Sequence, residues 1–355
     1  MKIVYSALKY DYMDSKRGLS FEHSNFLEPL KSFANGGFIY YPYDEIVNIG
    51  KKEYNKTLLE IIKREKPDIF FAFMFTDELN FEVLDEIKKY TISIAWFSDD
   101  HWRLWNYSRY YASHFTCVVT TWSEAQEIYA YYGIKNVIHS QWAVNPNTWR
   151  PIEECKHTVD VSFVGQMTPA RQRIIKKLRL FGINVYSSGF GWPGGRVLHE
   201  EMVNIFSHSK INLNLNSPPS LAYWKVFMRL FFKRSAGKIV LDFWHFKDNL
   251  KSMLNMSIPQ IKARAFEILG CRAFLISGYA DDMDHYYENG KEIVYYDGTV
   301  ADLVGKIRYY LAHDEEREKI ANAGYERTLR ENTYRKRFKE IFEIIKKYKN
   351  NLDVI

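Results

Sequence analysis

Two basic side chains and one acidic side chain lie close together within residues 257–276, and their chemistry suits a phosphate and a hydroxyl group. Lys262 and Arg264 would stand near the start of a helix. A helix N-terminus carries about half a positive charge, so the two side chains beside it would attract an anion. Glu267 lies one turn beyond Arg264 and could accept hydrogen bonds from a sugar hydroxyl. The alternative is an ordinary i, i+3 ion pair between Arg264 and Glu267.

The ends of this helix carry sequence signals. Ser257 can cap the N-terminus, and Pro259 suits the first turn, where its missing N–H has no partner to lose. Gly270 can end the helix in the left-handed conformation, which glycine adopts at little cost. We therefore predict a helix over 257–270, followed directly by a buried apolar strand.

A second stretch, residues 159–178, repeats the arrangement of a strand followed by a helix start. Its apolar strand ends at Gly165, Thr168 can cap the helix, and Pro169 fits the first helical position. Arg171 then lies in the first turn. Backbone N–H groups and an arginine in this position can approach a diphosphate, so we predict a phosphate-facing loop here.

The first half of the chain carries two acids and a histidine after an apolar strand, in the sequence WFSDDHWR at 96–103. Asp99, Asp100 and His101 could together provide a general base near neutral pH. The alternative is that Asp99 or Asp100 caps the next helix, as acidic residues often do, while His101 faces solvent.

A polar loop follows the first strand of the chain and contains Arg17 and Gly18, and His23 lies just beyond it at the start of a helix. In open α/β sheets, ligands bind beyond the carboxyl ends of the strands, where this loop would lie. We therefore predict that Arg17, Gly18 and His23 face a ligand of the first half.

The composition limits the class of protein. A chain of 355 residues suits two domains, and 46% hydrophobic residues can fill a core in each. The net charge of +6 permits a phosphate-bearing ligand without requiring nucleic acid. The three cysteines have no metal-ligand spacing and indicate reduced thiols in a cytoplasmic protein. The N-terminus lacks the apolar region of a signal peptide, and no apolar run approaches the ~20 residues of a membrane span.

Continuous apolar strands alternate with amphipathic helices through both halves, which predicts parallel sheets covered by helices on both faces. The expected fold class is α/β with two Rossmann-like domains. We place an N-terminal domain at 1–145 and a C-terminal domain at 146–332, with an insertion at about 217–256. The remaining segment, 333–355, is predicted to be a helix.

Several segments together resemble a known family. The series VSFVGQ, INVYSSGFGW, FSHSKINLNLN, QIKARAFEILGCRAFLISG and GKEIVYYDGTVADLVGKIRYYL is similar to the CgeB-like glycosyltransferases, which are related to spore maturation proteins and to the group-1 glycosyltransferase superfamily. WFSDD and VVTTWSEAQEIYAYYGIKNV resemble the first domain of the same family. The resemblance implies a GT-B fold, in which two Rossmann-like domains face a cleft. It also implies a donor nucleotide sugar on the C-terminal domain, an acceptor mainly on the N-terminal domain, and a last helix that packs back across both.

The resemblance also implies roles for individual residues. Glu267 matches the glutamate that contacts the donor ribose, and Lys262 and Arg264 match basic residues that face the donor diphosphate. Two positive charges there would offset the phosphate charge of the departing nucleotide. Gly165 and Arg171 would line the loop beneath the same diphosphate.

Pro259 departs from the family pattern. Many retaining GT-B enzymes have a second glutamate eight positions before the ribose-contacting one, and that position is Pro259 here. Inversion is therefore favoured, with Asp100, Asp99 or His101 as the base. The family implies no bound metal and no cofactor, because a helix dipole and basic side chains stabilise the diphosphate. The acids at 281–284 are then expected to be solvated loop residues.

Residues 217–256 are the least expected segment, because basic side chains are interspersed with aromatic ones. Helical spacing would put Arg229 and Lys233 on one face. Three interpretations compete: a helical lid packed on the cleft, a peripheral membrane contact through 221–238, and a platform for nucleic acid. The packed lid is favoured, because aromatic stripes are more often buried than functional.

We interpret the protein as a metal-independent glycosyltransferase of the hexosyltransferase type that uses a nucleotide-diphosphate sugar. Its acceptor is open and could be a glycan, a protein or modified DNA. Two alternatives also stay open. One is a DNA-modifying glycosyltransferase that acts on a hydroxylated base, and the other is a non-catalytic nucleotide-sugar-binding protein of GT-B fold.

Overall fold

The computed structural model describes residues 1–153, 155–216, 224–235, 238–280 and 282–352. Asp281 of the predicted acidic loop lies outside these ranges, as do residues 217–223 and 236–237 of the predicted insertion.

The described ranges contain thirteen strands. They are β1 (Ile3–Ser6), β2 (Phe38–Tyr40), β3 (Ile69–Phe73), β4 (Ile92–Phe97), β5 (Cys117–Thr120), β6 (Val137–His139), β7 (Val159–Val164), β8 (Val185–Ser188), β9 (Ser209–Asn214), β10 (Phe232–Ser235), β11 (Lys238–Leu241), β12 (Leu275–Gly278) and β13 (Val294–Tyr296).

Fourteen α-helices alternate with these strands in the same ranges. They are α1 (Phe21–Lys31), α2 (Glu45–Glu65), α3 (Phe81–Ile87), α4 (Asp100–Arg103), α5 (Arg109–Ala112), α6 (Ala125–Tyr131), α7 (Pro169–Leu180), α8 (His199–Ser207), α9 (Trp224–Met228), α10 (Phe246–Asn255), α11 (Ala263–Gly270), α12 (Val300–Ala312), α13 (Asp314–Glu331) and α14 (Tyr334–Leu352). Within the described ranges, no helix has the length and apolar character needed to cross a bilayer.

The chain forms two compact units, and the first comprises Met1–Gln141, Leu221–Met256 and Arg337–Ile355. Its main sheet has six parallel strands in the order β2-β1-β3-β4-β5-β6. The inner strands β3 and β4 are almost entirely buried, as expected for a sheet covered on both faces. The strand order reverses between β1 and β3, which makes that point the switch point where ligands of such sheets bind.

The second unit comprises Trp142–Ser220 and Ser257–Lys336. Its sheet has five parallel strands in the order β13-β12-β9-β7-β8, and the order reverses between β7 and β9. Two apolar clusters pack within this unit, one that includes Phe163 and Phe274 and one that includes Trp149 and Phe266. The prediction of two Rossmann-like sheets is confirmed.

The spacing of Arg229 and Lys233 predicted one helix, and this prediction is wrong. The helix α9 ends at Met228, and β10 pairs antiparallel with β11, so that Arg234 lies opposite Ile239. Strand pairing overrides the helical spacing here, because propensity is a weak determinant against tertiary contacts.

The segment Leu221–Met256 clusters with the first unit, although its position in the sequence lies between two parts of the second. Polar contacts attach it to the rest of the first unit. They include Ser235 Oγ to Asp77 Oδ2 at 2.7 Å, Asn106 Nδ2 to Asn249 Oδ1 at 2.8 Å, and Arg109 Nη2 to Asp248 Oδ1 at 2.7 Å.

The last helix, α14, belongs to the first unit from Arg337 onward. Its Phe338 is fully buried and packs edge-on against Phe26 and Phe71, with ring centroids 5.2 and 5.6 Å apart. The first unit therefore includes residues from both ends of the chain in its core.

Candidate functional site

The helix α11 of the second unit begins later than the sequence signals predict. Lys262 is its N-cap residue, with extended backbone angles of φ −105° and ψ 140°, and no side chain caps the helix. The prediction that Ser257 caps this helix and that Pro259 lies in its first turn is therefore wrong. The extended path before Lys262 buries Ile261, which is 4% exposed in the core, and Pro259 disfavours a helical residue before it.

The end of α11 also differs from expectation, because Gly270 is the last helical residue and has no positive φ. The left-handed residue is Arg272, with φ 56°. A Cβ atom on Gly270 would lie 2.6 Å from Val144 Cγ2. Glycine is needed at this position because the helix packs closely on Val144, and the prediction of a left-handed cap is wrong.

The first turn of α11 carries an ion pair between Arg264 and Glu267, with Nη1 and Oε2 2.6 Å apart. The Glu267 side chain is buried, whereas that of Arg264 is about one quarter exposed. Burial raises the pKa of Glu267, and the positive charge of Arg264 opposes this shift. The i, i+3 ion pair, which was the alternative to a ligand site, is thus present. It holds the Glu267 carboxylate beside the partly accessible guanidinium of Arg264.

Three residues from distant parts of the sequence surround Arg264. Its guanidinium lies 5.4 Å from the ring of Phe206 and 5.9 Å from that of Trp149, and Nη1 lies 3.1 Å from Met202 Sδ. No short motif marks these residues, because each is far from Arg264 along the chain. Lys262 points elsewhere, since its Nζ donates to Gln260 Oε1 at 2.6 Å.

Arg171 lies where the sequence predicted, in the first turn of α7. Thr168 is the N-cap, its Oγ1 accepts a hydrogen bond from Arg171 N at 3.3 Å, and Pro169 is the first helical residue. The Arg171 side chain donates from Nε to the carbonyl of Leu215 at 3.1 Å and from Nη1 to that of Gln166 at 3.0 Å. These carbonyls follow β9 and β7, so Arg171 spans the switch point of the second sheet.

The two arginines of this region influence each other. Burial lowers the pKa of Arg171, and the positive charge of Arg264 lowers it further. Two guanidinium groups near enough to repel each other create a positive potential, which an anion bound between them would relieve. Since Arg264 is paired with Glu267, the three side chains together carry one net positive charge.

Gly165 directly follows β7, at a place where two backbones touch. A Cβ on Gly189 would lie 2.3 Å from the Gly165 carbonyl oxygen, which also accepts from Trp192 Nε1 at 2.9 Å. The N–H of Gly165 donates to Ser188 O at 2.9 Å, and that of Met167 to Phe190 O at 2.8 Å. Because these N–H groups are already paired, the loop offers an anion the side chain of Arg171 rather than these two N–H groups.

In the first unit, the three predicted base candidates follow β4 but differ in exposure. Asp100 is fully buried, and Tyr129 Oη donates to its Oδ2 at 3.0 Å. Burial raises the pKa of Asp100, and hydrogen bonds from neighbouring hydroxyls lower it. The ring of His101 is buried and stacks on Trp122, with centroids 5.3 Å apart. Asp99, the N-cap residue of α4, is the one of the three that is half-buried rather than buried.

The predicted ligand-facing residues of the loop after β1 lie around the switch point of the first sheet. Arg17 Nε donates to Asp11 Oδ2 at 2.8 Å, and Gly18 takes a positive φ of 80° that closes the loop. His23 lies in the first turn of α1, where Tyr40 Oη is 3.4 Å from its Nδ1. Burial lowers the pKa of His23, and the charge of Lys9 adds to this effect.

Among the described residues, no three His, Cys, Asp or Glu side chains form a group that could hold a metal ion. Asp284 of the predicted acidic loop accepts a hydrogen bond from Tyr279 Oη at 3.2 Å, and Asp282 has a left-handed backbone.

Comparisons with known proteins support the two-sheet architecture. A family model described as glycosyl transferase-like matches residues 235–343, the part of the chain that contains α11. No curated protein matches the chain.

Solved structures match nearly the whole chain. HepE from Anabaena in complex with UDP has a TM-score of 0.53 and 8% identity, over 100% of both chains. A glycosyltransferase from Rickettsia africae ESF-5 has a TM-score of 0.60 and 11% identity, over 98% of each chain. The lipopolysaccharide outer core galactosyltransferase WaaB in its apo form has a TM-score of 0.53 and 12% identity, over 96% of this chain and 99% of that one. The predicted fold class is confirmed: the chain has the two Rossmann-like domains of the GT-B glycosyltransferase fold.

Proposed function

We propose that the protein is a glycosyltransferase that transfers a sugar from a nucleotide-diphosphate sugar, with the donor bound by the second unit. The observation that carries this proposal is the pair of guanidinium groups, Arg171 and Arg264, at the carboxyl edge of the second sheet. Arg171 spans the switch point between β7 and β9, where ligands of doubly wound sheets bind. The charge of Arg264 acts on Arg171, which suits a ligand with two phosphates.

Each residue of this site has a proposed role. Arg171 and Arg264 hold the diphosphate and stabilise the negative charge that develops on it as the glycosidic bond breaks. Glu267, fixed by its ion pair with Arg264, accepts hydrogen bonds from the ribose. Lys262, the N-cap residue of α11, adds a positive charge at the start of that helix, and Gly165 allows the loop to pass beneath the ligand without a side chain. The structures of HepE with UDP and with UDP-glucose support a uridine nucleotide as the first donor to test.

The base is proposed to come from the first unit. Of Asp99, Asp100 and His101, we favour Asp99, because a base must reach the acceptor hydroxyl and Asp99 is the least buried of the three. In an inverting reaction, the acceptor oxygen bonds to the anomeric carbon as the bond from that carbon to the phosphate oxygen breaks. The acceptor proton goes to the carboxylate, and the nucleoside diphosphate leaves with the bonding electrons.

We also propose that the protein belongs to the CgeB-like family, that it requires no metal or other cofactor, and that it transfers a hexose. A cytoplasmic location is supported by three cysteines without disulfide bonds. For the proposed peripheral membrane contact through 221–238, the support within that range is Phe227 on α9, which is more than half exposed. Residues 221–223 and 236–237 lie outside the described residues.

Calorimetry with UDP, GDP, ADP and TDP tests the donor site, in the presence of EDTA because no metal is proposed to be required. We expect one diphosphate to bind, and Arg171→Gln to weaken it about 10- to 100-fold, since hydrogen bonds to charged groups contribute about 1.5–3 kcal/mol. Arg264→Gln is paired with Glu267→Gln, because the single change would leave a buried carboxylate without its partner. Arg173→Gln, an exposed arginine on the same helix, is the matched control.

Failure of all four nucleotides to bind at millimolar concentration would contradict the donor site. Binding without slow hydrolysis of the corresponding nucleotide sugar would instead favour the non-catalytic binding protein. Transfer of the sugar to hydroxylated DNA bases would identify the DNA-modifying alternative.

A further inference from the structure

Four arginines lie against two aromatic rings at the carboxyl edge of the first sheet. The guanidinium carbons of Arg17 and Arg234 each lie 4.6 Å from the centroid of the Tyr12 ring. Tyr12 belongs to the loop after β1, whereas Arg234 lies on β10 of the segment Leu221–Met256. That segment therefore brings a basic side chain to the switch point between β1 and β3.

The second ring is that of Trp102, on the helix after β4. Arg229 and Arg103 lie 4.7 and 5.8 Å from its centroid. Arg103 is fixed at the same edge, because its Nη2 donates to the carbonyl of Phe75, just after β3, at 2.6 Å. The Phe75 ring packs edge-on against Tyr12, with centroids 5.4 Å apart, which joins the two groups of residues into one cluster.

The charges of this cluster are not balanced. Arg17 is paired with Asp11, but no carboxylate in the described part of the chain lies within 4 Å of Arg103, Arg229 or Arg234. Partial burial lowers the pKa of Arg229. The charge of Asp99 raises it, and the charges of Arg103 and Arg234 lower it again. Arg103 also lies near the buried carboxyl of Asp100, and Ser235, next to Arg234, contacts Asp77. The three guanidinium groups therefore have acidic neighbours, but none of those carboxylates lies within ion-pair distance of them.

The loop that carries Tyr12 is strained. Tyr12 and Met13 both have left-handed backbones, with φ of 56° and 61°, and neither is glycine. Such conformations cost on the order of 1–3 kcal/mol each and persist where the surrounding structure holds them. Here they bring the Tyr12 ring within 4.6 Å of the guanidinium carbons of both Arg17 and Arg234.

We propose that Arg103, Arg229 and Arg234 form a binding site for a phosphate monoester, carried by the acceptor on which the enzyme acts. That the phosphate belongs to an acceptor rests on the proposed function, whereas the presence of the anion site does not. A phosphate monoester carries close to two negative charges at neutral pH, which suits three guanidinium groups that have no carboxylate within ion-pair distance. The forked guanidinium groups can bind its oxygens in pairs.

A nucleic acid fits this cluster less well. Single strands are bound by aromatic rings that stack on bases and by basic residues that follow the backbone. Here guanidinium groups already pack against the rings of Tyr12 and Trp102, and the four arginines are grouped around these two rings. The arrangement favours a single compact oxyanion.

Calorimetric binding of inorganic phosphate tests the site, with UDP present at saturation so that the donor site does not contribute. We expect phosphate to bind the wild type and to bind the Arg229→Gln, Arg234→Gln double variant at least 10-fold more weakly. The Arg229→Lys, Arg234→Lys variant should recover part of the affinity, because charge is kept and the fork is lost. Lys247→Gln, an exposed charge on α10 of the same segment, is the control, and melting curves verify that each variant folds.

Phosphate binding that does not depend on Arg229 and Arg234 would overturn the inference, while UDP binding would still support the proposed function. Absence of binding by all four nucleoside diphosphates, together with phosphate binding that depends on these arginines, would refute the proposed donor site and leave the anion site standing. Tighter binding of acetate than of phosphate would overturn the phosphate assignment. Tighter, arginine-dependent binding of a ten-nucleotide single strand would overturn it in favour of nucleic acid.

Discussion

Two buried carboxyl groups, those of Glu267 and Glu22, lead to measurable effects on stability and ligand binding. The pair of Arg264 and Glu267 has a structural role and a proposed role in donor binding: the carboxylate is buried, and its partner remains partly accessible. Removing Arg264 alone would therefore affect stability and ligand binding together. The double replacement with glutamine separates these effects, because it leaves no unpaired charge in the core.

Glu22, in the first turn of α1, gives a prediction about pH. Burial raises the pKa of this carboxyl to about 7, hydrogen bonds from its own backbone and Ser20 oppose the shift, and the charges of Asp11 and Asp44 add to it. A carboxyl with a raised pKa in the folded state favours folding below its unfolded pKa of 4.5, and this contribution is lost as the pH rises through about 7.

We expect Glu22→Gln to stabilise the first unit relative to wild type at pH 8 by on the order of 3 kcal/mol, and by little at pH 4.5. Urea denaturation of both proteins across this range measures the difference. Glu28→Gln, an exposed acid on the same helix, should show no such trend. A pH-independent difference between Glu22→Gln and wild type would contradict the assigned cause.

At the scale of elements, the close packing of α11 makes a sharp prediction. We expect Gly270→Ala to destabilise the second unit by about 1–3 kcal/mol, because the new methyl group would lie 2.6 Å from Val144 Cγ2. Val144→Ala in the same protein should recover most of the loss. Thermal and urea denaturation of the single and double variants give the coupling energy.

A glycine in another helix provides the opposite control. Gly305, inside α12, has open space around the position of its absent Cβ and no positive φ. Gly305→Ala should therefore stabilise the protein by about 0.5–1 kcal/mol, as alanine does in helix interiors. If both glycine variants stabilised the protein, backbone entropy would outweigh contact with Val144 at Gly270, and the predicted clash would be wrong.

The sequence predicted correctly those elements whose ends depend on interactions between residues close together in the chain. The strand ending at Gly165, the Thr168 cap and the start of α7 at Pro169 agree with the sequence prediction, because all their interactions lie within a few residues. The start of α11 could not be predicted in the same way, since it depends on burial of Ile261 against distant residues. Likewise, only the folded structure shows that Arg171 spans two strand ends or that Val144 limits the size of residue 270.

At the scale of the whole molecule, the segment Leu221–Met256 belongs to the first unit, whereas the residues directly before and after it in the sequence belong to the second. Sequence order alone suggested an insertion in the second domain, because consecutive elements are usually neighbours. Its basic residues face Tyr12 and Trp102, whereas a group of apolar side chains nearby is exposed. The two sets of residues have separate proposed ligands and can be tested separately.

The exposed apolar group consists of Ile239, Leu241, Phe243 and Trp244, of which Trp244 is 97% exposed and the others are more than half exposed. Lys238 and Lys247 flank it and are also exposed. Exposed aromatic and aliphatic side chains with basic neighbours are typical of surfaces that bind anionic lipid headgroups. We therefore propose a membrane contact at 238–247, which follows directly after the range 221–238 predicted from the sequence.

We expect the protein to sediment with phosphatidylglycerol vesicles at low salt and less so at high salt, because the lysine contribution is screened. Replacing Phe243 and Trp244 together by serine should weaken vesicle binding at least 10-fold, since both rings would lose their burial in the interface. Tyr131→Ser, which removes an 84% exposed aromatic from α6 of the same unit, is the matched control. Equal binding to neutral vesicles, or binding unchanged by the double serine variant, would exclude this surface as the membrane contact.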